Sequence, residues 1–328
     1  MKPKIQDVAK AAGVSPTTVS RVLNNRGYIS EEMKKKVYTA MEQINYIPND
    51  LARSLYNKRS YIIGLIVPTT KNPFFGELTA DIENYCSEQG YKALICNSLN
   101  NADKEKQYWE MLRRNQVDGV IVCTYNRGLL DYDQHNLPTV AIDHYLSKDI
   151  PVVGSNNYQG GQLAVQELLD AGCKKIIHLN GPGELQTPAN LRRKAYEDVM
   201  ENNGLPHITY EIPEEFIEGK EKTKVIKRMF DEHPDLEGVF ASDDMIALTV
   251  IREAEKRKIS IPEQLKVIGY DGTETIRTIF PALSTLRQPI TSIAESAVSL
   301  LIQQMDGTKP ISKDEIRHDV ILHKGKTI

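Results

Sequence analysis

Several short apolar runs in this chain end abruptly in polar side chains. Asp143 follows Val140-Ala141-Ile142, Asn180 follows Ile176–Leu179, Ser242, Asp243 and Asp244 follow Phe240-Ala241, and Asp271 follows Ile268-Gly269-Tyr270. If those runs are parallel strands, their carboxyl ends face the crevice in which open sheets bind ligands. Carboxylates and amides gathered there accept hydrogen bonds from the many hydroxyls of a sugar. Helix N-capping explains some of them equally well, and for Asp243 and Asp244 it is the better reading.

The patterns of catalysis are thin by comparison. His135, His144, His178, His207, His233, His318 and His323 include no H-E-x-x-H or similar spacing. There is no G-x-S-x-G turn and no G-x-x-x-x-G-K-[ST] loop, and Gly181-Pro182-Gly183 lacks the rest of a dinucleotide-binding fingerprint. Cys86, Cys96, Cys123 and Cys173 are scattered without C-x-x-C spacing, as reduced buried thiols would be, rather than disulfides or a zinc site. No catalytic residue, metal or cofactor is therefore expected. His144, beside Asp143, reads as a cleft residue more than as a base.

A second kind of chemistry is concentrated at the start of the chain. Residues 1–60 carry 11 Lys and Arg against 5 Asp and Glu, while the remainder carries 30 against 39. A basic head on an acidic body suits phosphate binding, because local cations release counterions from nucleic acid while the body is repelled by it. Lys34-Lys35-Lys36 alone would pass for a solvated helix face. Residues 7–24 make phosphate contact the better reading, because they form two short helices around a tight turn. Val8, Ala9 and Ala12 line one face of the first, Gly13 allows the turn, and Val19, Val22 and Leu23 give the stripe of the second. Ser15 is placed to cap that second helix, with Pro16 at its first position, where the missing N–H has no partner to lose. Thr17 and Thr18 follow, and Ser20, Arg21 and Asn24 complete the segment.

A third helix follows, capped by Ser30, with Glu31 and Glu32 in its first turn and a stripe through Met33, Val37, Ala40, Met41 and Ile44. Tyr46-Ile47-Pro48-Asn49 breaks it, and Asn49 can cap a short fourth helix from about Asp50 to Asn57. From Tyr61 onward the pattern changes to α/β alternation. Strand-like runs at Ile62–Val67, Ala93–Cys96, Val117–Val122, Thr139–Ile142, Ile176–Leu179, Val239–Ala241 and Lys266–Tyr270 alternate with helix-like blocks. Those blocks are Gly76–Gln89, Asp103–Asn115, Gln159–Ala171, Leu191–Asn203, Lys220–His233, Asp244–Lys256 and Ile290–Met305. Continuous β-branched runs predict parallel strands covered on both faces. At 328 residues there is room for roughly two to three domains. No stretch approaches the roughly 18 apolar residues of a membrane span and no signal-peptide core opens the chain, so a cytoplasmic location is expected.

The segment Asp7-Val8-Ala9 to Asn24 resembles, almost position for position, the helix-turn-helix pattern of the lactose/galactose repressor (LacI/GalR) family of bacterial transcription regulators. The resemblance extends over the whole chain. It implies a headpiece at 1–47, a hinge at 48–60 and an effector-binding, dimerising body at 61–328. The body would resemble a periplasmic sugar-binding protein, with one lobe from about 61–158 and 289–318 and the other from about 159–288 and 319–328. Double-stranded, pseudopalindromic operator DNA and a second copy of the chain are the implied partners. With no leucine heptad after the body, a dimer rather than a tetramer is expected.

The resemblance also assigns residues. Ser15, Pro16, Thr17, Thr18, Ser20, Arg21 and Asn24 would form the DNA-contacting set. Arg21 falls on a base-reading position, Pro16 and Thr17 on positions that vary between members, and Thr18 and Ser20 on positions that face phosphates. Leu55, after Ala52-Arg53-Ser54, occupies the place of the hinge leucine that wedges into the minor groove, an insertion that unstacks a base step in exchange for the contacts of a bent site. Asp143 and Asp271 fall where effector hydroxyls are bound, Arg192 on the arginine that clamps the effector, and Phe74 and Phe75 on the aromatic pair of the cleft wall. Phe216 is the candidate ring on the opposite side. The chain departs from the pattern at Ala195, usually glycine, and at Ser242, where many members place an asparagine that touches the effector.

Within the family, Gly90–Ser98, Ser242–Met245 and Ile268–Thr273 most resemble sucrose-operon repressors of Gram-positive bacteria. The implied effector is then sucrose, a phosphorylated sucrose or fructose. Three other readings compete with a sugar-controlled repressor: a catabolite-control-type regulator needing a phosphoprotein co-repressor, a stand-alone sugar carrier, and an enzyme. The carrier would have no use for residues 1–60.

Overall fold

A computed structural model describes residues 3–24, 26–48, 59–124, 137–147, 149–183, 187–213, 220–307 and 315–328. The chain divides into two compact units, Met1–Tyr61 and Ile62–Ile328. In the first, α1 (Ile5–Ala12), α2 (Pro16–Leu23) and α3 (Glu31–Gln43) are begun and ended by the residues the sequence points to. Gly13 closes α1 in left-handed backbone, φ 61°, which costs a residue without Cβ nothing. Ser15 Oγ accepts from the Thr18 N–H at 3.0 Å, and Ser30 Oγ from the Met33 N–H at 3.3 Å. The core is Val8, Ala9, Ala12, Val19, Val22, Val37, Ala40 and Met41, with Leu23, Met33 and Ile44 partly buried against it. The expected fourth helix, with Asn49 and Leu55, lies outside the described residues.

The second unit is built on two six-stranded sheets. The first contains β1 (Ile62–Val67), β2 (Lys92–Asn97), β3 (Gly119–Val122), β4 (Thr139–Ile142), β5 (Val152–Ser155) and β11 (Glu315–His318). Their order is β11-β5-β4-β3-β1-β2, all parallel. The second contains β6 (Ile176–Asn180), β7 (Ile208–Glu211), β8 (Gly238–Ala241), β9 (Lys266–Asp271), β10 (Ser284–Arg287) and β12 (Ile321–His323). Its order is β12-β10-β9-β8-β6-β7, and only β12 runs antiparallel, against β10. The chain passes between the sheets after β5, after β10 and after β11.

Helices cover both sheets. α4 (Pro73–Glu88) and α11 (Ile290–Met305) bury one face of the first sheet and α5 (Ala102–Arg114) the other. α8 (Lys220–Glu232) and α9 (Asp244–Lys256) bury one face of the second, α6 (Asn157–Asp170) and α7 (Leu191–Asn202) the other. Burial on both faces is why the central strands read as unbroken apolar runs.

Some elements differ from the sequence reading. β5, β7, β10, β11 and β12 were not expected, and neither was α10 (Glu274–Ile279). Val-Val-Gly-Ser and Ser-Thr-Leu-Arg are too short and too rich in small or hydroxyl residues to stand out. Ile-Thr-Tyr-Glu, Glu-Ile-Arg-His and Ile-Leu-His lie at sheet edges. β2 is also an edge strand, and Lys92, Leu94 and Ile95 are exposed, so it is not covered on both faces as expected.

Candidate functional site

The carboxyl ends of strands from both sheets line one cleft of ≈ 310 Å³, toward the lower end of small-molecule sites in size. Phe74, Phe75 and Asp143 line it from the first lobe, and Asn180, Arg192, Ser242 and Asp271 from the second. Asp143, one residue beyond β4, and Asp271, the last residue of β9, both have left-handed backbone, at φ 49° and 110°. Positive φ on a residue with a Cβ costs of order 1–3 kcal/mol and persists where the surrounding structure enforces it. Gly154 of β5 leaves the room this placement needs, because a Cβ there would collide with the Asp143 carboxylate.

The two carboxylates are held by different partners. Asn157 donates to Asp143 Oδ1 from Nδ2 at 3.2 Å and accepts from Arg192 Nε at 2.7 Å. Arg192 Nη1 donates to the Ser242 carbonyl at 2.6 Å, and its guanidinium lies 3.5 Å above the centre of the Tyr270 ring. A bonded chain therefore runs from Asp143 in one lobe, through the first residue of α6, to Arg192 in the other. A second chain runs beside it: Ser155 Oγ donates to Gln288 Oε1 at 2.5 Å, and Gln288 Nε2 donates to Asp271 Oδ1 at 2.7 Å. Burial raises the Asp143 carboxyl to about 6, against the opposing pull of Arg192 and the Asn157 bond. Asp271 is pushed well above the usual carboxylate range, again chiefly by burial, with Arg192 opposing.

The aromatic pair stands on α4, whose first turn is capped by Asn72 Oδ1 accepting from the Phe74 N–H at 2.8 Å. Phe74 and Phe75 meet edge to face at 5.2 Å between ring centres. Phe216 lies outside the described residues. Asp243 caps α9, accepting from the Ile246 N–H at 2.7 Å. Asp244 does not cap: it is buried and accepts from Thr285 Oγ1 at 2.5 Å and the Gly272 N–H at 2.8 Å, pinning the turn beyond β9 to β10. His144 is buried and does not line the cleft, so its expected place there is corrected. Asn157, Gln288 and Tyr270 were missed. The sequence reading begins α6 two residues late, and Gln288 lies in the short link between β10 and α11, with no pattern of its own.

In the first unit, Pro16, Thr17 and Arg21 are exposed on α2, and Thr18 and Ser20 are half-buried. Ser15 Oγ and Thr18 Oγ1 share a hydrogen bond at 2.9 Å. Asn24 Nδ2 donates back to the Ser20 carbonyl at 2.9 Å, while Arg21 Nε donates to the Arg26 carbonyl at 3.4 Å. Among the described residues no helix is long and apolar enough to cross a membrane. Nor does any group of three or more His, Cys, Asp and Glu among them have a metal-binding arrangement.

A helix-turn-helix unit followed by two parallel-sheet lobes around a polar cleft is the build of a ligand-responsive DNA-binding regulator. Residues 4–49 match the bacterial regulatory proteins of the lacI family, and residues 165–324 match a periplasmic binding protein-like domain. A sucrose operon repressor of Pediococcus pentosaceus is 43% identical over 328 residues, covering 100% of both chains. A periplasmic binding protein/LacI transcriptional regulator of Alkaliphilus metalliredigens, solved with D-xylulofuranose, has a TM-score of 0.73 at 30% identity. It covers 82% of this chain and 99% of its own. The lac repressor dimer bound to operator and the anti-inducer ONPF has a TM-score of 0.86 at 25% identity, over 100% of this chain and 99% of that one. The chain belongs to the lacI family of bacterial regulatory proteins.

Proposed function

We propose that this chain is the repressor of a sucrose-utilisation operon, binding a pseudopalindromic operator as a homodimer under the control of a sugar held between its lobes. The observation that carries this reading is the cleft itself. Asp143, Arg192 and Asp271 come from separate elements of two lobes to one polar site, in a chain that also carries a DNA-binding unit. The relatives named above support the sugar class, and the Pediococcus repressor supports sucrose.

In this reading Asp143, Asp271 and Ser242 bond effector hydroxyls, Arg192 clamps the effector, and Phe74 and Phe75 pack against the sugar ring, with Phe216 opposite. Arg21 reads a base edge, Pro16 and Thr17 face bases at the start of α2, and Thr18 and Ser20 face phosphates. Ser15 and Asn24 hold the helix ends, and Leu55 wedges into the central base step. The effector favours one orientation of the lobes and the operator-bound hinge another, so each ligand weakens the other by the same factor. A DNA-bound regulator of this kind works in the cytoplasm.

Calorimetric titration with sucrose, sucrose 6-phosphate, fructose and glucose, with and without operator, tests the reading. One sugar that binds and weakens operator affinity is the expected result. Operator binding without any sugar response removes the sugar assignment, and operator binding that returns only with a phosphoprotein points to a co-repressor-dependent regulator. Arg192→Ala is expected to lower effector affinity by roughly ten- to a hundredfold, the loss of a charged hydrogen-bonding group.

A further inference from the structure

The cleft carries cations that the sugar reading leaves unused. Lys71, in the turn after β1, and Lys222, in the first turn of α8, line it from opposite lobes. Neither side chain is in an ion pair among the described residues, unlike Arg193 with Glu197 and Glu211, Lys194 with Asp198 and Lys224 with Glu221. No carboxylate of the cleft reaches either lysine within ion-pair distance among the described residues, and each is turned to another partner. Asp243 caps α9, Asp143 is bonded to Asn157, and Asp271 to Gln288. Beside the mouth, Lys220, Lys224, Lys227 and Arg252 line a groove that shares Lys222 and Met245 with the cleft. This basic strip lies on a body in which acidic residues outnumber basic ones, 39 to 30 beyond residue 60.

We infer that the effector is a phosphorylated sugar, its hydroxyls turned to Asp143 and Asp271 and its phosphate held at the cleft mouth by Lys71 from one lobe and Lys222 from the other. This rests on the sugar-effector reading and narrows it. A phosphate monoester carries a charge of roughly −1.5 to −2 with three acceptor oxygens, and lysine binds it as a point charge. A neutral sugar offers those two ammonium groups hydroxyl acceptors but no opposite charge. The basic groove would raise the local concentration of an anionic ligand at the mouth, an effect that weakens with salt. Because the lysines belong to different lobes, the phosphate also acts as a tie between them, so the ester favours closure more than its parent sugar does.

The test is calorimetry on the full chain with sucrose, sucrose 6-phosphate, fructose, fructose 6-phosphate and inorganic phosphate, repeated on Lys71→Ser, Lys222→Ser and the double variant. Each ester should bind at least roughly tenfold tighter than its parent sugar, as a charge-assisted contact predicts. That ratio should fall toward one in the double variant and survive in the Arg variants of both positions, with thermal melting reporting that every variant folds. An ester that binds no tighter than its parent, or a ratio that survives the double serine variant, overturns the phosphate clamp and leaves the sugar reading standing. Inorganic phosphate binding as tightly as the esters overturns the clamp's coupling to a sugar. Binding by none of the five ligands overturns both readings.

Discussion

The two units gather their functional side chains in opposite ways. The first keeps its exposed set on α2, one eight-residue helix, and fixes that helix with contacts three or four residues apart: Ser15 to Thr18, Asn24 to Ser20. The second draws Asp143, Arg192 and Asp271 from places far apart in sequence, tying Asp143 to Arg192 through Asn157 and Asp271 to Ser155 through Gln288. A site built on one helix stands or falls with that helix and a small core. A site built across two sheets rests on large cores and is sensitive to the few polar links that set its geometry.

The sharpest way to break that contrast is to unfold one unit without the other. Val19 is completely buried in the eight-residue core of the first unit. Val19→Asp is expected to cost on the order of 4 kcal/mol there, because it buries an unpaired charge. Operator binding should vanish while effector binding by the body persists, and calorimetry with both ligands on the one variant measures the two together. Loss of both would show that the units fold as one.

A smaller effect tests the polar links of the body. The Asp143 carboxyl is raised from its ordinary 3.8 to about 6. Between those values the unfolded chain has released a proton that the folded chain keeps, so this group's contribution to stability is fully present below about pH 4 and is lost as pH rises through about 6. Asp143→Asn should remove that slope, a difference of on the order of 3 kcal/mol across the window, read by urea unfolding of the two proteins from pH 4 to 7. Identical slopes would remove Asp143 from the buried network.

The smallest effect returns to the helix. Ser15→Ala deletes the cap of α2 and should cost about 1 kcal/mol of first-unit stability, with a matching loss of operator affinity and no change in effector affinity. Hydrogen exchange at the α2 amides would locate the loss. An unchanged exchange pattern would mean that Pro16 alone suffices to start the helix.

Legibility in the sequence follows the same division. Caps, turn glycine and apolar stripe are local signals, so α1, α2 and α3 could be read almost to the residue. The central strands were equally plain because burial on both faces makes them continuous apolar runs. Asp143 and Asp271 could be found because they end such runs. Asn157 and Gln288 could not, since each acts through a partner more than ten residues away that only the folded chain brings near. Asp244 was misread as a cap because its real partners, Gly272 and Thr285, lie across the sheet from it.

The left-handed backbone at Asp143 and Asp271 bears on how this regulator could evolve toward new ligands. Those two positions accept few residues before any ligand is considered: glycine, asparagine and aspartate tolerate positive φ, and β-branched side chains do not. Ser242 and Lys71 line the same cleft with ordinary backbone, so nearly any side chain can be tried there without refolding the strand ends. Changes of effector should therefore accumulate at 242 and 71 while 143 and 271 stay fixed, and deep mutational scanning for operator release by foreign sugars would reveal that uneven freedom.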